Sequence, residues 1–168
     1  MIVRNDIWEE VKQAYTNAIC AGKYATVQRR IGILYKILIP VLSALCVLFS
    51  SLKWQDGTTG TAVLLFVSSM AKAIFPKIIL PDKDIIALDG LNSFFMDYHH
   101  KMNELLHQLD YKKIDEDKAL QEMRKQRKNA TLKASELNKL IIWIPSWVDK
   151  KLTQDTDNHL NAIYNNKY

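Results

Sequence analysis

Two apolar stretches, Ile31–Leu52 and Thr58–Leu80, lie in the first half of the chain with only Lys53, Trp54, Gln55, Asp56 and Gly57 between them. As a helix, Ile31–Leu52 would extend about 33 Å, against a hydrocarbon core of about 30 Å. From Ile37 to Leu52 it carries no charge, and its Ile, Leu, Val and Phe side chains favour insertion into lipid. Lys36 sits near one end, where its alkyl stem can carry the ammonium to the headgroups. Pro40 suits a helix start and would kink a helix interior. The second stretch is shorter. Its charge-free part, Gly57–Ala71, spans about 22 Å as a helix, and full length requires Lys72 and Lys77. A lysine near the bilayer centre costs about 3 kcal/mol, so Lys72 belongs either at the interface of a short span or on a wetted interior face. With Ser68 and Ser69 one turn earlier, Lys72 is the candidate for a polar, pore-facing strip. The alternative for the pair is two buried helices of a large soluble bundle.

Amphipathic patterns flank this hairpin. Asp6 followed by Glu9 is a variant of the capping box, and Ile7, Trp8, Val11, Ala14, Tyr15, Ala18 and Ile19 form a one-sided helical stripe. That predicts an amphipathic helix within 1–30, packed on the protein's own helices or lying on a membrane surface or a neighbouring subunit. After Pro81 a seam of Leu88, Leu91, Phe95, Tyr98, Met102, Leu105 and Leu109 predicts a helix from Asp84 to Asp110. A turn around Tyr111–Asp115 follows. A second helix then repeats the spacing at Leu120, Met123, Arg127, Ala130, Ala134, Leu137 and Ile141. Matching seams on adjacent helices read as an antiparallel hairpin. Such a hairpin cannot bury both of its faces, so the N-terminal helix or other subunits must cover one. Arg127 on the seam either snorkels or meets a partner chain. The apolar knot Leu140–Val148 is too short for a third span and closes a core or anchors at an interface. A short helix from Asp157 to Tyr164 is expected in the polar tail.

The fold expected is therefore all-α and oligomeric, a two-span transmembrane helical hairpin plus a cytoplasmic antiparallel helical hairpin. Its parts are an amphipathic helix at 1–30, the membrane hairpin at 31–80, the cytoplasmic hairpin at 81–148 and a tail at 149–168. Charge sets the orientation. Lys23, Arg29, Arg30 and Lys36 precede the spans and Lys72, Lys77 and Lys83 close or follow them, while at the tip Lys53 is balanced by Asp56. The positive-inside bias places both termini in the cytoplasm, with Trp54 as an interfacial anchor outside. The first thirty residues contain Arg4, Asp6, Glu9, Glu10 and Lys12 and read as lacking a signal peptide. A net charge of +5 suits an anionic lipid surface or nucleic acid and selects neither. Cys20 and Cys46 make no disulfide framework, and the few glycines and prolines favour long helices.

Candidate chemistry is sparse. His100 and His107 lie one heptad apart, but nothing supplies matching carboxylates or histidines from a second helix, so neither a metal site nor a cofactor is expected. A ribonuclease of the HEPN class needs Arg, four to six residues, then His; here Gln154 stands at that position before His159. No catalytic residue is assigned, and the chain reads as a non-enzyme. Arg124, Lys125, Arg127 and Lys128 form the densest basic patch, which is either a solvated helix face or a contact for the phosphates of RNA or lipid without base readout.

The order of parts resembles a known group. A basic helix, two spans in a tight hairpin, a long helix bearing Phe94, Phe95, Tyr98, His99 and His100, and a charged return helix look like the SLATT-type two-span effectors of bacterial antiphage systems. Over Tyr24–Pro40, Pro76–His100 and the tail around His159 the chain looks still more like the small membrane accessory proteins of type VI-B RNA-targeting CRISPR systems. The resemblance covers most of the chain and is architectural. It implies a homo-oligomer in the bacterial inner membrane whose subunits line a pore. That pore would be opened or assisted by an RNA-guided CRISPR nuclease and would depolarise the membrane. It also implies a divergent HEPN-like pair, Gln154 and His159, with Gln154 in the place of the arginine. Two other functional classes compete: an RNA-binding or RNA-cleaving accessory using the basic patch and His159, and a passive membrane anchor that recruits a partner through its heptad helices.

Overall fold

The computed structural model describes residues 2–74, 79–141, 154–156, 158 and 162. Four long helices account for most of them: α1 (Ile2–Ser51), α2 (Gln55–Ile74), α3 (Asp82–Asp110) and α4 (Glu116–Leu140). No strand occurs among the described residues, so the all-α expectation holds. The amphipathic segment and the first apolar stretch are one helix, which continues through Pro40 rather than starting there. Proline removes a single N–H bond and crowds one turn, and a helix well supported on both sides tolerates that. α3 begins two residues earlier than its pattern suggests. The Pro81 carbonyl accepts the N–H groups of Asp84 and Ile85, and Asp82 and Asp84 sit in the first turn, where a negative charge complements the helix dipole. The turn after Asp110 and the second charged helix fall where the periodicity put them. Residues 142–148 of the apolar knot and most of the expected tail helix lie outside the described residues.

The chain divides into two compact units, residues 26–85 and residues 1–25 with 86–168. In the second of these, three helices bury one another. From α1 come Ile7, Val11, Ala14, Tyr15 and Ala18. From α3 come Leu88, Leu91, Phe95, Tyr98, Met102 and Leu105, and from α4 Ala119, Met123, Ala130 and Leu137. The N-terminal stripe therefore serves the protein's own core. Five seam positions differ from the pattern, among them Arg127, which is exposed, and Ala134 and Ile141, which are half-buried. Leu109 is only half-buried and Leu106 takes the last core place on α3, while on α4 Ala119 is buried instead of Leu120.

Polar contacts set the register inside this core. The Asn92 side-chain amide donates to the Ala18 carbonyl at 2.8 Å, and His99 Nδ1 lies 3.1 Å from the Val11 carbonyl oxygen. The step is seven residues on each helix and in opposite directions, so α1 and α3 run antiparallel with a heptad spacing. Gly22 permits the close approach. A Cβ at that position would come within 2.3 Å of the Asn92 amide nitrogen. α3 ends in a Schellman motif, with the Lys113 N–H on the Gln108 carbonyl, the Lys112 N–H on the Leu109 carbonyl, and Lys112 at φ 54°.

This geometry predicts a reversal of sign. In an otherwise unchanged chain Gly22→Ala should destabilise, because Asn92 must abandon a hydrogen bond of about 1 kcal/mol and move aside. In an Asn92→Ala background the same change should stabilise by about 1 kcal/mol through helix propensity. Thermal unfolding of the four proteins checks this, and the same sign in both backgrounds would show that the Gly22–Asn92 contact is not made.

Candidate functional site

Residues 26–85 have very little interior. α1 and α2 run antiparallel in contact, with the Tyr35 hydroxyl donating to the Ser68 carbonyl at 3.1 Å and Cys46 Sγ lying 3.9 Å from the Thr58 carbonyl. Between those contacts Leu42 and Thr61 are buried. The outer surfaces are apolar. Ile33, Leu34, Ile37, Val41, Val47 and Leu48 on α1, and Val63, Leu64, Phe66 and Val67 on α2, are 48–71% exposed. Among the described residues one helix, α1, is long and apolar enough to cross a membrane, and its most apolar 18-residue stretch is only 6% buried. A core helix of a soluble protein would instead be largely covered.

Hydroxyl groups in this unit turn inward to the backbone. Ser43, Thr59 and Thr61 each donate to the carbonyl four residues earlier on their own helix at 2.9 Å, and Thr58 to the carbonyl of Trp54, just before α2, at 3.0 Å. Such bonds let a polar side chain do without water. The tip is also closed. Lys53 adopts φ 56°, the Trp54 N–H reaches the Phe49 carbonyl, and the Lys53 N–H reaches that of Ser50, which together make a Schellman motif. The Phe49 and Trp54 rings meet edge to face at 4.7 Å, and a Cβ at Gly57 would fall 2.8 Å from the indole. Lys36 pairs with Asp82 at 3.2 Å, so its ammonium has a carboxylate partner.

The candidate pore strip divides over this surface. Ser68 is half-buried and its carbonyl is taken by Tyr35, whereas Ser69 is exposed. Adjacent helix positions point about 100° apart, so the two serines serve different faces. Lys72 lies in α2, and its side chain is outside the described residues.

The other unit holds a polar centre that joins three helices. Glu10 is only 8% exposed. The Tyr98 hydroxyl donates to its Oε2 at 2.8 Å, and Arg127 Nε lies 2.9 Å from its Oε1. Arg127 thus has a partner on α1 of its own chain, which is neither of the two outcomes its place on the seam suggested. Burial and the hydrogen bond to Glu10 push the Tyr98 phenol above its ordinary value. Tyr15 is raised too, by burial and then by the charge of Asp155. Beside the centre a cleft of about 220 Å³ opens, lined among others by Gln13, Asn17, Thr131, Ala130 and Ala134.

The remaining candidates are scattered. His99 is buried against the Val11 carbonyl, 5.1 Å from the Tyr15 ring, while His100 is exposed and His107 half-exposed. Among the described residues no group of three or more His, Cys, Asp or Glu side chains is placed to hold a metal ion. Gln154 is exposed; its neighbour Asp155 pairs with Lys23 and Thr156 is buried, while His159 lies outside the described residues. Arg124, Lys125 and Lys128 are exposed, as the patch requires. Sequence reasoning did not single out Glu10 or Asn92. Both were signalled by polar residues falling on or beside an apolar stripe, Glu10 three residues after Ile7 and Asn92 four after Leu88. No family model, curated protein or solved structure matches the chain.

Two outcomes follow from the Glu10 centre. Arg127→Met should destabilise by about 2 kcal/mol, because it strips a buried carboxylate of its counter-charge, and adding Glu10→Gln should restore part of that loss. Denaturant unfolding of both variants measures it; no recovery in the double variant would mean that the pair is not coupled. The Tyr98 phenol titrates higher in the folded than in the unfolded chain. Its contribution is therefore complete below the unfolded value of about 10 and is lost as pH rises above it. Tyr98→Phe should flatten the fall in melting temperature above that pH, and an unchanged alkaline slope would exclude the contact.

Proposed function

We propose that this chain is a two-span integral membrane protein that assembles into a homo-oligomeric pore and depolarises the bacterial inner membrane in antiphage defence. The observation that carries the membrane part is the hairpin of residues 26–85, which exposes apolar side chains on both of its helices and buries few of its own. Contiguous apolar surface of this extent is stable against lipid or against further copies, and costly in water. The internally bonded hydroxyls support the same reading, since lipid offers no partner for them. Both termini then lie in the cytoplasm, by the basic flanks, and Trp54 anchors the outer tip.

The pore reading adds two steps. A two-helix hairpin encloses no channel, so a conducting path needs several copies. A path through lipid also needs a wetted strip, for which Ser69, exposed on α2, and Lys72, three residues further on, are the residues proposed. Ser68 contributes to the hairpin contact instead. The defence context and an RNA-guided nuclease as the activating partner rest on the architectural resemblance. One observation favours a second reading, a non-conducting anchor: the hydroxyls of Ser43, Thr58, Thr59 and Thr61 all close on the hairpin's own backbone, so none of these four is directed to a water column.

Ion flux from liposomes holding the purified protein, with oligomer mass measured on the same preparation, separates the two. Flux from a defined oligomer is expected, and Lys72→Leu should change conductance while leaving the oligomer intact. A sealed liposome that stays sealed when the activated nuclease is added would leave only the anchor.

A further inference from the structure

The cleft beside Glu10 has the parts of an anion site. Its charged floor is arranged in series: Tyr98 donates to one oxygen of the buried Glu10 carboxylate, and that carboxylate holds the more exposed Arg127 by Nε through its other oxygen. A guanidinium carries five N–H donors in a fixed fork. Only Nε is engaged by Glu10, and the terminal amino groups bond to no other described residue. Gln13 and Asn17, one helical turn apart on α1, line the same cleft, and neither side-chain amide has a partner among the described residues. The Thr131 hydroxyl donates back to the Arg127 carbonyl and so is not one of the free donors. The result is an excess of unused donors around one cation whose direction is fixed by a buried neighbour.

The charge balance points the same way. Glu10 and Arg127 cancel each other, which leaves the cleft locally neutral, and the exposed Arg124 and Lys128 add positive charge elsewhere on α4, where Lys125 is paired with Glu122. A carboxylate that buttresses an arginine from behind removes the rotamer freedom the arginine would otherwise lose on binding. Ala14, Ala130 and Ala134 keep the cleft open where larger side chains would fill it. Its volume of about 220 Å³ exceeds that of a bare inorganic anion and leaves room for a small organic body beside it.

The geometry points to a binding site for a phosphate monoester in this cleft, with Arg127 as the main ligand, Gln13 and Asn17 as neutral donors, and Glu10 with Tyr98 as positioning residues. The chemistry recognised is the terminal phosphoryl group, which a free nucleotide and a lipid headgroup share. Because its ligands come from α1 and α4, and its positioning residues from α1 and α3, an occupied site clamps the three helices of its unit together. This inference stands apart from the membrane proposal, since none of its residues belongs to the hairpin of residues 26–85.

The test is calorimetric titration of the full chain in detergent with inorganic phosphate, adenosine 5′-monophosphate and glycerol 3-phosphate, each at matched ionic strength against chloride. Saturable binding of at least one ester is expected. Gln13→Ala with Asn17→Ala, which break no hydrogen bond among the described residues, should weaken it about tenfold with the melting temperature in chloride unchanged. Arg127→Lys should weaken it by at least as much, because an ammonium cannot hold Glu10 and a phosphoryl group in one plane. Preference for the nucleotide over glycerol 3-phosphate would name a soluble ligand, and the reverse a headgroup; either supports the site. Absence of saturable binding by all three probes, or equal affinity in the Gln13/Asn17 double variant, overturns it. Liposome flux is unaffected by either result, so failure here is distinguishable from failure of the pore.

Discussion

A carboxylate cannot be taken out of water without something to meet its charge, and Glu10 is such a group in the middle of a three-helix core. Its two oxygens are answered from two other helices, Tyr98 on α3 and Arg127 on α4. The contact therefore does more than add one bond. It specifies which turn of α3 and which turn of α4 may lie against the third turn of α1, since a shift of one residue would carry either partner some 100° round its helix. The apolar core tolerates several packings; the buried charge tolerates one. Asn92 and His99 repeat the constraint by reaching α1 carbonyls one heptad apart, and Gly22 leaves the room Asn92 needs. Register in this unit is a polar property laid over an apolar one.

The hairpin of residues 26–85 is built on the opposite principle. Several of its hydroxyls are used locally, each donating to a backbone carbonyl of its own helix, and its two helices share few buried side chains. What remains outside is branched and aromatic hydrocarbon. In water this would be an unstable arrangement; in lipid, where helix contacts are worth little through hydrophobicity, small residues and local hydrogen bonds are what such a pair retains. Thr61 buried beside Leu42, and Tyr35 on the Ser68 carbonyl, are of that kind. The two units thus treat polar groups differently, one by burying charge in a pair and the other by closing several hydroxyls on their own helix.

Much of this architecture was legible in the order of residues. Periodicity alone located α3 and α4, the turn between them and most of their core positions, because a heptad seam leaves few alternatives. Apolar length located the hairpin. What pattern could not supply was pairing between helices. Leu106 replaced Leu109 at the end of the α3 seam, because the helix turns 100° per residue and drifts from a strict seven-residue repeat. Arg127 was visible as an oddity on an apolar face, but its partner lies 117 positions away in the chain, and no local rule connects them. Pro40 misleads in the same way: a breaker in the local grammar, it sits within a continuous α1.

The candidate sites divide along that line too. Ser68 and Ser69 were grouped by being neighbours, and neighbours on a helix face different surroundings, so one serves the α1 contact and the other stays exposed. Gln13 and Asn17 escaped notice because polar residues on an amphipathic helix are ordinarily solvent-facing. They gain meaning only once Arg127 is fixed beside them by Glu10. A site assembled this way depends on tertiary structure at every step: the buried carboxylate requires the three-helix core, the oriented arginine requires the carboxylate, and the donor excess requires the arginine. Loosening the core at any of its ties would therefore disperse the donors before it unfolded the helices that carry them.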